Sequence, residues 1–250
     1  MNKFPLITAH TGCMGHPDHS FESLQAALTL GADIYEDDIR LTRDGVPVLA
    51  HDDDIALADG SRGSLAEITL KELNASMSAP IPTLQDVLEQ IREAGKIMNL
   101  DIKTDSALEP VSVLVERMGM AEMVFLSGCE YGMAVKAGRY APHIRRLLNV
   151  NIQSFQSLRY DEAMFQACAE GREVGCFGLN VPYQVVRPEL AEAVRRYGLD
   201  LYVWTVREAD DMRRLAQWGV NSITTRDPGK LIAVRGEMEY AEENRDWTIS

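Results

Sequence analysis

The stretch GADIYEDDIRLTRDGVPVLAHDD, residues 31–53, decides the prediction of the fold because it holds two strands and the turn between them. Residues 32–41 and 46–52 are rich in β-branched and aliphatic side chains. Asp44-Gly45 between them is the strongest short signal for a β-hairpin. The two strands are therefore predicted to be antiparallel neighbours.

This hairpin predicts two acids and an imidazole on one face. If Asp44 and Gly45 are the two turn residues, Asp38 lies directly opposite His51, and directly opposed residues share a face. Glu36 lies two residues from Asp38 and therefore on the same face. A hairpin at the surface can also carry such charges in water without any function, so the rest of the chain has to separate the two interpretations.

Beyond the hairpin, short apolar runs alternate with segments of helical periodicity, which is the pattern of a parallel sheet with crossover helices. The predicted parallel strands are residues 6–10, 33–41, 97–103, 123–127, 145–150, 176–181, 201–206 and 222–225. The chain has 250 residues, which is about the length of one (β/α)₈ barrel. We therefore predict a single TIM-barrel domain over residues 1–250, with an extra antiparallel hairpin strand after strand 2. A small cap is expected at about 53–82, and an acidic C-terminal tail at about 233–250.

Composition narrows the class of partner. A formal net charge of −13 disfavours nucleic acid and anionic membrane surfaces, since both require a basic face. No apolar run approaches the roughly 18 residues of a spanning helix, and no leader is recognised at the start. The 4 cysteines have no CxxC spacing and are interpreted as packing residues of a reducing compartment. A cytoplasmic protein that acts on a small molecule is expected, and a homo-oligomer stays open.

Polar residues stand at the predicted carboxyl ends of three adjacent strands, where barrel enzymes hold their catalytic groups. His10 closes the first strand, Glu36 and Asp38 belong to the second, and Asp101 to the third. Mg²⁺ and Ca²⁺ take carboxylate oxygens as ligands, so these three acids suit one such cation. His10 and His51 then stay free for proton transfer. Together these groups favour transfer at a phosphoryl centre.

The ordered set of motifs resembles the glycerophosphodiester phosphodiesterase family over roughly residues 6–232. The matching segments are His10-Thr11-Gly12, Pro17-Asp18-His19-Ser20, Glu36-x-Asp38, LTRDGVPV at 41–48, His51-Asp52, IPTL at 81–84, Asp101-Ile102-Lys103, VWTV at 203–206 and GVNSITT at 219–225. The resemblance implies a barrel with one divalent cation, usually Mg²⁺ or Ca²⁺. It also implies cleavage of a glycerophosphodiester to glycerol 3-phosphate and an alcohol.

The resemblance further implies roles for individual residues. It makes the acids at 36, 38 and 101 the metal ligands, the histidines at 10 and 51 the acid and the base, and Lys103 a phosphate contact. In that chemistry the 2-hydroxyl of the substrate glycerol attacks phosphorus, and water then opens the cyclic phosphate. Which histidine accepts a proton and which donates one stays undecided by the sequence.

Departures from the family pattern concern the phosphate grip. Thr11 stands where the family usually has arginine, a bidentate phosphate clamp. We expect Thr11, Trp204 and Arg207 to contact the substrate beside Lys103, with Arg207 as the replacement for the missing charge. His19 stands where asparagine is typical, and it and His16 are interpreted as exposed loop histidines.

Two alternatives to this function remain. Asp101 stands where glutamate is commoner, and the related sphingomyelinase D-like barrels are similar in using aspartate there. A lysophospholipase D or sphingomyelinase D-like phosphodiesterase is therefore the nearest alternative. A catalytically inactive barrel that serves as a binding module is the other, and Thr11 is the main feature in its favour.

Overall fold

Strands and helices alternate along the part of the chain that the structure, a computed structural model, describes: residues 3–245, without the side chains at 242 and 245. The strands are β1 (Leu6–His10), β2 (Ile34–Leu41), β3 (Pro47–Leu49), β4 (Asp54–Ala56), β5 (Arg62–Ser64), β6 (Ile97–Ile102), β7 (Val124–Ser127), β8 (Arg145–Asn149), β9 (Gly178–Pro182), β10 (Asp200–Trp204) and β11 (Ser222–Thr225). The helices are α1 (Phe21–Leu30), α2 (Leu70–Ser76), α3 (Leu84–Glu93), α4 (Leu108–Met118), α5 (Tyr131–Tyr140), α6 (Ile152–Ser157), α7 (Tyr160–Glu173), α8 (Pro188–Arg196), α9 (Ala209–Trp218) and α10 (Pro228–Arg245).

Eight of the strands close into a parallel ring. Its order is β1, β2, β6, β7, β8, β9, β10 and β11, and β11 pairs with β1 to complete it. Helices follow the strands and cover the outside of the ring, where their apolar faces form the main core with the outward side chains of the strands. The predicted TIM barrel, with extra strands outside the ring, is confirmed.

The turn after β2 has one more residue than predicted. Ile39 pairs with Leu49, and the backbone N–H of Thr42 donates to the carbonyl of Val46 at 3.1 Å. Three residues therefore form the loop, and Gly45 ends it with φ of 76°. A type I turn followed by a left-handed residue is the usual form of a three-residue hairpin, and glycine adopts that conformation without strain.

The extra turn residue shifts the register by one position. Asp38 lies opposite Ala50, whose backbone N–H donates to the Asp38 carbonyl at 3.0 Å. The predicted direct pairing of Asp38 with His51 is therefore wrong. The antiparallel attachment of β3 to β2 is as predicted.

Residues 53–82 fold over the end of this hairpin. They contain the two-stranded sheet of β4 and β5 and the helix α2, whose N-terminus has a capping box between Thr69 and Glu72. Leu65 and Leu73 of this segment are fully buried against Val48 of β3. The segment is therefore packed onto the barrel through its own small apolar core.

Helix α10 was not predicted from the sequence. Leu231 and Val234, in its first half, are buried, whereas the acidic residues Glu237, Glu239 and Glu243 of its second half are exposed. The predicted acidic tail is thus helical as far as residue 245, and residues 246–250 lie outside the described part. No helix within residues 3–245 is both long enough and apolar enough to cross a membrane.

The interior of the ring is layered. Its lower layer, at the amino ends of the strands, contains Ile34, Phe125, Leu147 and Tyr202, all nearly fully buried. Because side chains alternate along a strand, the residues two positions further on also point into the ring, but in a layer nearer the carboxyl ends. In β2 that next residue is Glu36, so the interior changes from apolar to charged within one repeat of the strand.

Candidate active site

Three carboxylates from two neighbouring strands meet at the carboxyl end of the ring. Glu36 and Asp38 alternate along β2, and Asp101 is the register partner of Asp38 on β6. One oxygen of each acid lies within 4.8 Å of an oxygen of the others. Glu36 and Asp38 are buried and Asp101 is partly buried. The predicted metal-binding residues are therefore brought together by the fold.

A single lysine faces these acids. The Nζ of Lys103 lies 2.7 Å from Oδ1 of Asp38 and also contacts Oδ2 of Asp101. Burial alone would lower the pKa of Lys103, but the carboxylates of Asp101 and Asp38 raise it above its ordinary value. The hydroxyl of Ser127 donates to the other oxygen of Asp101 at 2.7 Å. Lys103 is therefore firmly protonated and engaged with two of the three acids.

Glu36 has no comparable partner. Its Oε2 is buried and makes no hydrogen bond to any residue that the structure describes. Burial, followed by repulsion from Asp38 and Asp101, raises the pKa of Glu36 well above its ordinary value. A buried carboxylate is costly unless a cation or a donor compensates it. The donor set consists of oxygens alone, which is the set that Mg²⁺ and Ca²⁺ prefer. The cluster thus fits a hard divalent cation.

His10 stands beside Glu36 with its protonation pattern set by the backbone. Its Nδ1 lies 2.8 Å from the carbonyl oxygen of Thr11, which can only accept, so Nδ1 carries the hydrogen. Its Nε2 lies 3.7 Å from Oε2 of Glu36. Burial, aided by the nearby positive charge of Arg226, lowers the pKa of His10. The ring is therefore held neutral, with the lone pair of Nε2 available to accept a proton.

His51 also lines the cavity, although the register differs from the predicted one. Its Nδ1 donates to Oδ1 of Asp52 at 2.8 Å, and its side chain is 62% exposed. Nε2 is consequently the nitrogen that is free for proton transfer. His10 is the half-buried histidine of the predicted pair and His51 the solvent-facing one.

A further histidine lies in the site. The Nδ1 of His19 is 2.6 Å from Oδ1 of Asp37, a fully buried acid whose other oxygen accepts from the hydroxyl of Tyr35 at 2.9 Å. Burial would lower the pKa of His19, but Asp37 raises it above the ordinary value. The interpretation of His19 as an exposed loop residue is therefore wrong. His16 is exposed as expected.

The predicted substrate contacts divide into two groups. Lys103, Thr11 and Trp204 line the cavity, but the hydroxyl of Thr11 is buried and accepts from the backbone N–H of His19 at 2.7 Å. The indole Nε1 of Trp204 is buried and finds no hydrogen-bond partner within the described part of the chain. Arg207 is exposed and does not line the cavity, so the fold does not bring it to the site.

The three carboxylates, Lys103 and the histidines at 10, 19 and 51 surround one cavity of about 560 Å³ at the carboxyl end of the ring. An arginine that the sequence analysis did not identify, Arg226, lines it directly after β11. The polar residues that complete the lining are Asp18, Asn99, Ser127, Glu130, Asn149, Asn180, Thr205 and Thr224. The volume and the mixture of acids, imidazoles and cations suit a small polar ester.

The fold and this site define a TIM-barrel protein with a polar site at the carboxyl end of its strands. Comparison with known families then identifies the family: residues 10–230 match the model of the glycerophosphoryl diester phosphodiesterase family. The chain belongs to this family and is thereby an enzyme of the phosphoric diester hydrolase class, which confirms the resemblance inferred from the motifs.

Individual relatives agree with this assignment. The chain is 28% identical over 243 residues to a glycerophosphodiester phosphodiesterase of Caldanaerobacter subterraneus subsp. tengcongensis, covering 91% of this chain and 96% of the relative. It is 29% identical to the probable glycerophosphodiester phosphodiesterase 2 of Mycobacterium tuberculosis, with 94% of each chain covered.

Solved structures share the fold. A putative glycerophosphoryl diester phosphodiesterase from Silicibacter pomeroyi superposes with a TM-score of 0.81 at 22% identity, covering 94% of each chain. A phosphodiesterase from Oleispira antarctica, solved in complex with the product sn-glycerol-3-phosphate, superposes with a TM-score of 0.77 at 22% identity, covering 93% of this chain and 97% of that one.

Proposed function

We propose that the protein is a metal-dependent phosphodiesterase that hydrolyses glycerophosphodiesters to glycerol 3-phosphate and an alcohol. The observation that carries the proposal is the unpartnered, buried Oε2 of Glu36 beside the neutral ring of His10. Family membership and the product bound by the Oleispira antarctica relative support this class of substrate.

Glu36, Asp38 and Asp101 would hold the cation, Mg²⁺ or Ca²⁺. When bound, the cation supplies positive charge that stabilises the developing charge on the phosphoryl oxygens. Lys103 keeps Asp38 and Asp101 oriented through its two ion pairs and presents its ammonium group to the same cavity. In this proposal, the three carboxylates and the Lys103 ammonium group together orient the ester.

His10 is the base in this proposal and His51 is the acid. The lone pair of His10 Nε2 accepts the proton of the substrate 2-hydroxyl, whose oxygen then bonds to phosphorus. The bond from phosphorus to the leaving oxygen breaks, and the Nε2–H of protonated His51 donates its proton to that oxygen. Water opens the resulting cyclic phosphate with the two histidines in the opposite roles. The pKa of His10, lowered by burial, suits it to begin as the neutral partner.

The test is hydrolysis of glycerophosphocholine, followed by detection of glycerol 3-phosphate. We expect activity that EDTA abolishes and that Mg²⁺ or Ca²⁺ restores. Activity that persists in EDTA would contradict the metal dependence, and absence of activity with every cation would favour the inert barrel.

A parallel assay with lysophosphatidylcholine and sphingomyelin tests the lysophospholipase D or sphingomyelinase D-like alternative, which the aspartate at position 101 keeps open. The cytoplasmic location and a homo-oligomeric state remain predictions.

A further inference from the structure

Positive charge is scarce in the cavity. Among the described residues, Lys103 and Arg226 are the lysine and the arginine whose side chains line it. The ammonium group of Lys103 is already paired with two carboxylates. Thr11, at the position where the family usually has an arginine, has its hydroxyl bound to the backbone of His19. Arg226 is therefore the lining side chain that offers the phosphate a permanent positive charge beside that of Lys103.

Closure of the barrel puts Arg226 next to the residues around Thr11. It directly follows β11, and β11 pairs with β1, whose end is His10. The carbonyl of Arg226 accepts from the backbone N–H of Met14 at 2.9 Å, which ties the backbones of the two loops together. The charge of Arg226 also acts on the imidazole of His10.

The guanidinium group lies directly over the backbone of Gly12. A Cβ placed on Gly12 would come within 2.6 Å of an Nη atom of Arg226 and within 2.0 Å of Oδ1 of Asp18. Gly12 also has φ of 71°, a backbone conformation that glycine adopts without strain. The absence of a side chain at residue 12 is what allows the arginine to reach the mouth of the site from the opposite end of the sequence.

Asp18 forms an ion pair with the guanidinium group through one of its nitrogens. One Nη of Arg226 lies 2.8 Å from Oδ1 of Asp18, and both side chains are about 45% exposed. Exposed pairs of this kind contribute little, about 0–1 kcal/mol. A guanidinium group has five N–H donors in a planar fork that matches two oxygens of a phosphate. An arriving phosphate can therefore be bound while the contact with Asp18 is kept or exchanged.

We propose that Arg226 binds the phosphate of the substrate and supplies, from the end of the eighth barrel strand, the charge that Thr11 does not supply beside the first. Asp18 orients its guanidinium group. The inference rests on the proposed function, and it replaces Arg207, which lies outside the cavity, as the source of that charge.

The experiment compares Arg226→Met with the wild-type enzyme and with Arg159→Met. The control also removes a solvent-exposed arginine that is paired with an aspartate, Asp161, but its side chain does not line the cavity. The readouts are KM and kcat with glycerophosphocholine, and the binding constant of inorganic phosphate in the presence of Mg²⁺. A hydrogen bond to a charged group contributes about 1.5–3 kcal/mol, which corresponds to roughly 10- to 100-fold in binding.

We expect Arg226→Met to raise KM and to weaken phosphate binding by that factor, while Arg159→Met stays within about twofold of wild type. The proposal would be overturned if KM and phosphate binding of Arg226→Met stay within twofold of wild type. It would also be overturned if Arg207→Met weakens phosphate binding more than Arg226→Met does. If Arg226→Met does not fold, Arg226→Gln replaces it, because glutamine retains hydrogen-bond donors for Asp18 without the charge. The same twofold limit on KM and phosphate binding then applies. Phosphate binding tests Arg226 even if wild-type enzyme does not cleave glycerophosphocholine, so failure of the two proposals can be told apart.

Discussion

The two ends of the barrel interior use the same strands for opposite purposes. At the lower end, Phe125, Phe177 and Tyr202 pack edge to face with ring centroids 5.5–5.6 Å apart. At the upper end, two residues further along the strands, the interior contains Glu36 without a hydrogen-bond partner for Oε2. Aromatic packing stabilises the closed ring, whereas buried like charges destabilise it.

This contrast shows where the chain departs from what stability alone would favour. Ile34 in the lower layer and Glu36 above it are both at least nine-tenths buried and lie in the same strand. An apolar residue at position 36 would pack well inside the ring, but it would remove one of the three carboxylates of the site. Violations of local packing rules are expected at functional sites, and they trade stability for function.

The largest expected effect comes from Glu36→Gln. This change keeps the shape of the side chain but removes the charge. We expect activity to fall by about 10³-fold or more, since the proposed cation would contribute several kcal/mol. Without metal at pH 8, the Glu36→Gln protein should instead be more stable than the wild type. The folded-state pKa of Glu36 is raised, so its ionisation lowers stability as pH rises through that pKa, and glutamine does not ionise.

Activity assays and thermal unfolding with and without Mg²⁺ measure both effects of Glu36→Gln. Glu109→Gln on the exposed face of α4 is the matched control and should change neither quantity. Wild-type activity in Glu36→Gln would contradict the claim that the upper end serves function. A Glu36→Gln protein less stable than wild type without metal would contradict the claim that this end costs stability.

The opposite outcome is expected for Phe125→Ala at the lower end. Truncating this buried ring leaves a cavity among the aromatic side chains and should reduce the free energy of unfolding by about 3 kcal/mol or more. The melting temperature should fall by roughly 10 °C, while kcat per folded molecule stays near that of wild type. If kcat falls as steeply as in Glu36→Gln, the two ends do not have separate tasks.

Removal of either imidazole should have a smaller effect than loss of the cation. We expect His10→Ala and His51→Ala each to lower kcat by about 10² or more, which is typical of general acid-base contributions. Single-turnover measurements at saturating substrate separate this chemical step from binding. Near-full turnover in one variant would assign its proton transfer to another group, and His19, held by Asp37, is then the imidazole to test.

The smallest expected effect is a shift in pH dependence. Burial lowers the pKa of His10 below its ordinary 6.5, so the proposed base stays neutral, and able to accept a proton, to a lower pH than a solvent-exposed histidine would. The acidic limb of kcat/KM should therefore have its midpoint below 6.5. In Arg226→Met the midpoint should move upward, because the guanidinium charge is one cause of the lowering. A midpoint above 6.5 in wild-type enzyme would show that another group controls this limb.

The sequence predicted the ring, and the predicted site residues other than Arg207 line the cavity, because both depend on short-range patterns. The alternation of strand-like and helical segments located all eight barrel strands, and acids placed two residues apart were bound to share a face. Helix α10 escaped because the acidic residues in its second half dominate the segment. The hairpin register failed because Asp44-Gly45 formed part of a three-residue loop.

The remaining misses depend on contacts that are distant in sequence. His19 lies next to Asp37 only because the loop after β1 folds back over β2, although a strand of three consecutive acids indicates that one of them must find a partner on the outer side of the ring. Arg226 reaches the site only through the pairing of the last strand with the first. Neither contact follows from local spacing.

The most direct test of the central claim is a crystal structure grown with Mn²⁺ as an anomalous scatterer in place of Mg²⁺. We expect one anomalous peak in contact with carboxylate oxygens of Glu36, Asp38 and Asp101, at the group that the unpartnered oxygen of Glu36 identifies. Crystals that bind no ion at these three acids, from protein that remains active in EDTA, would contradict the account.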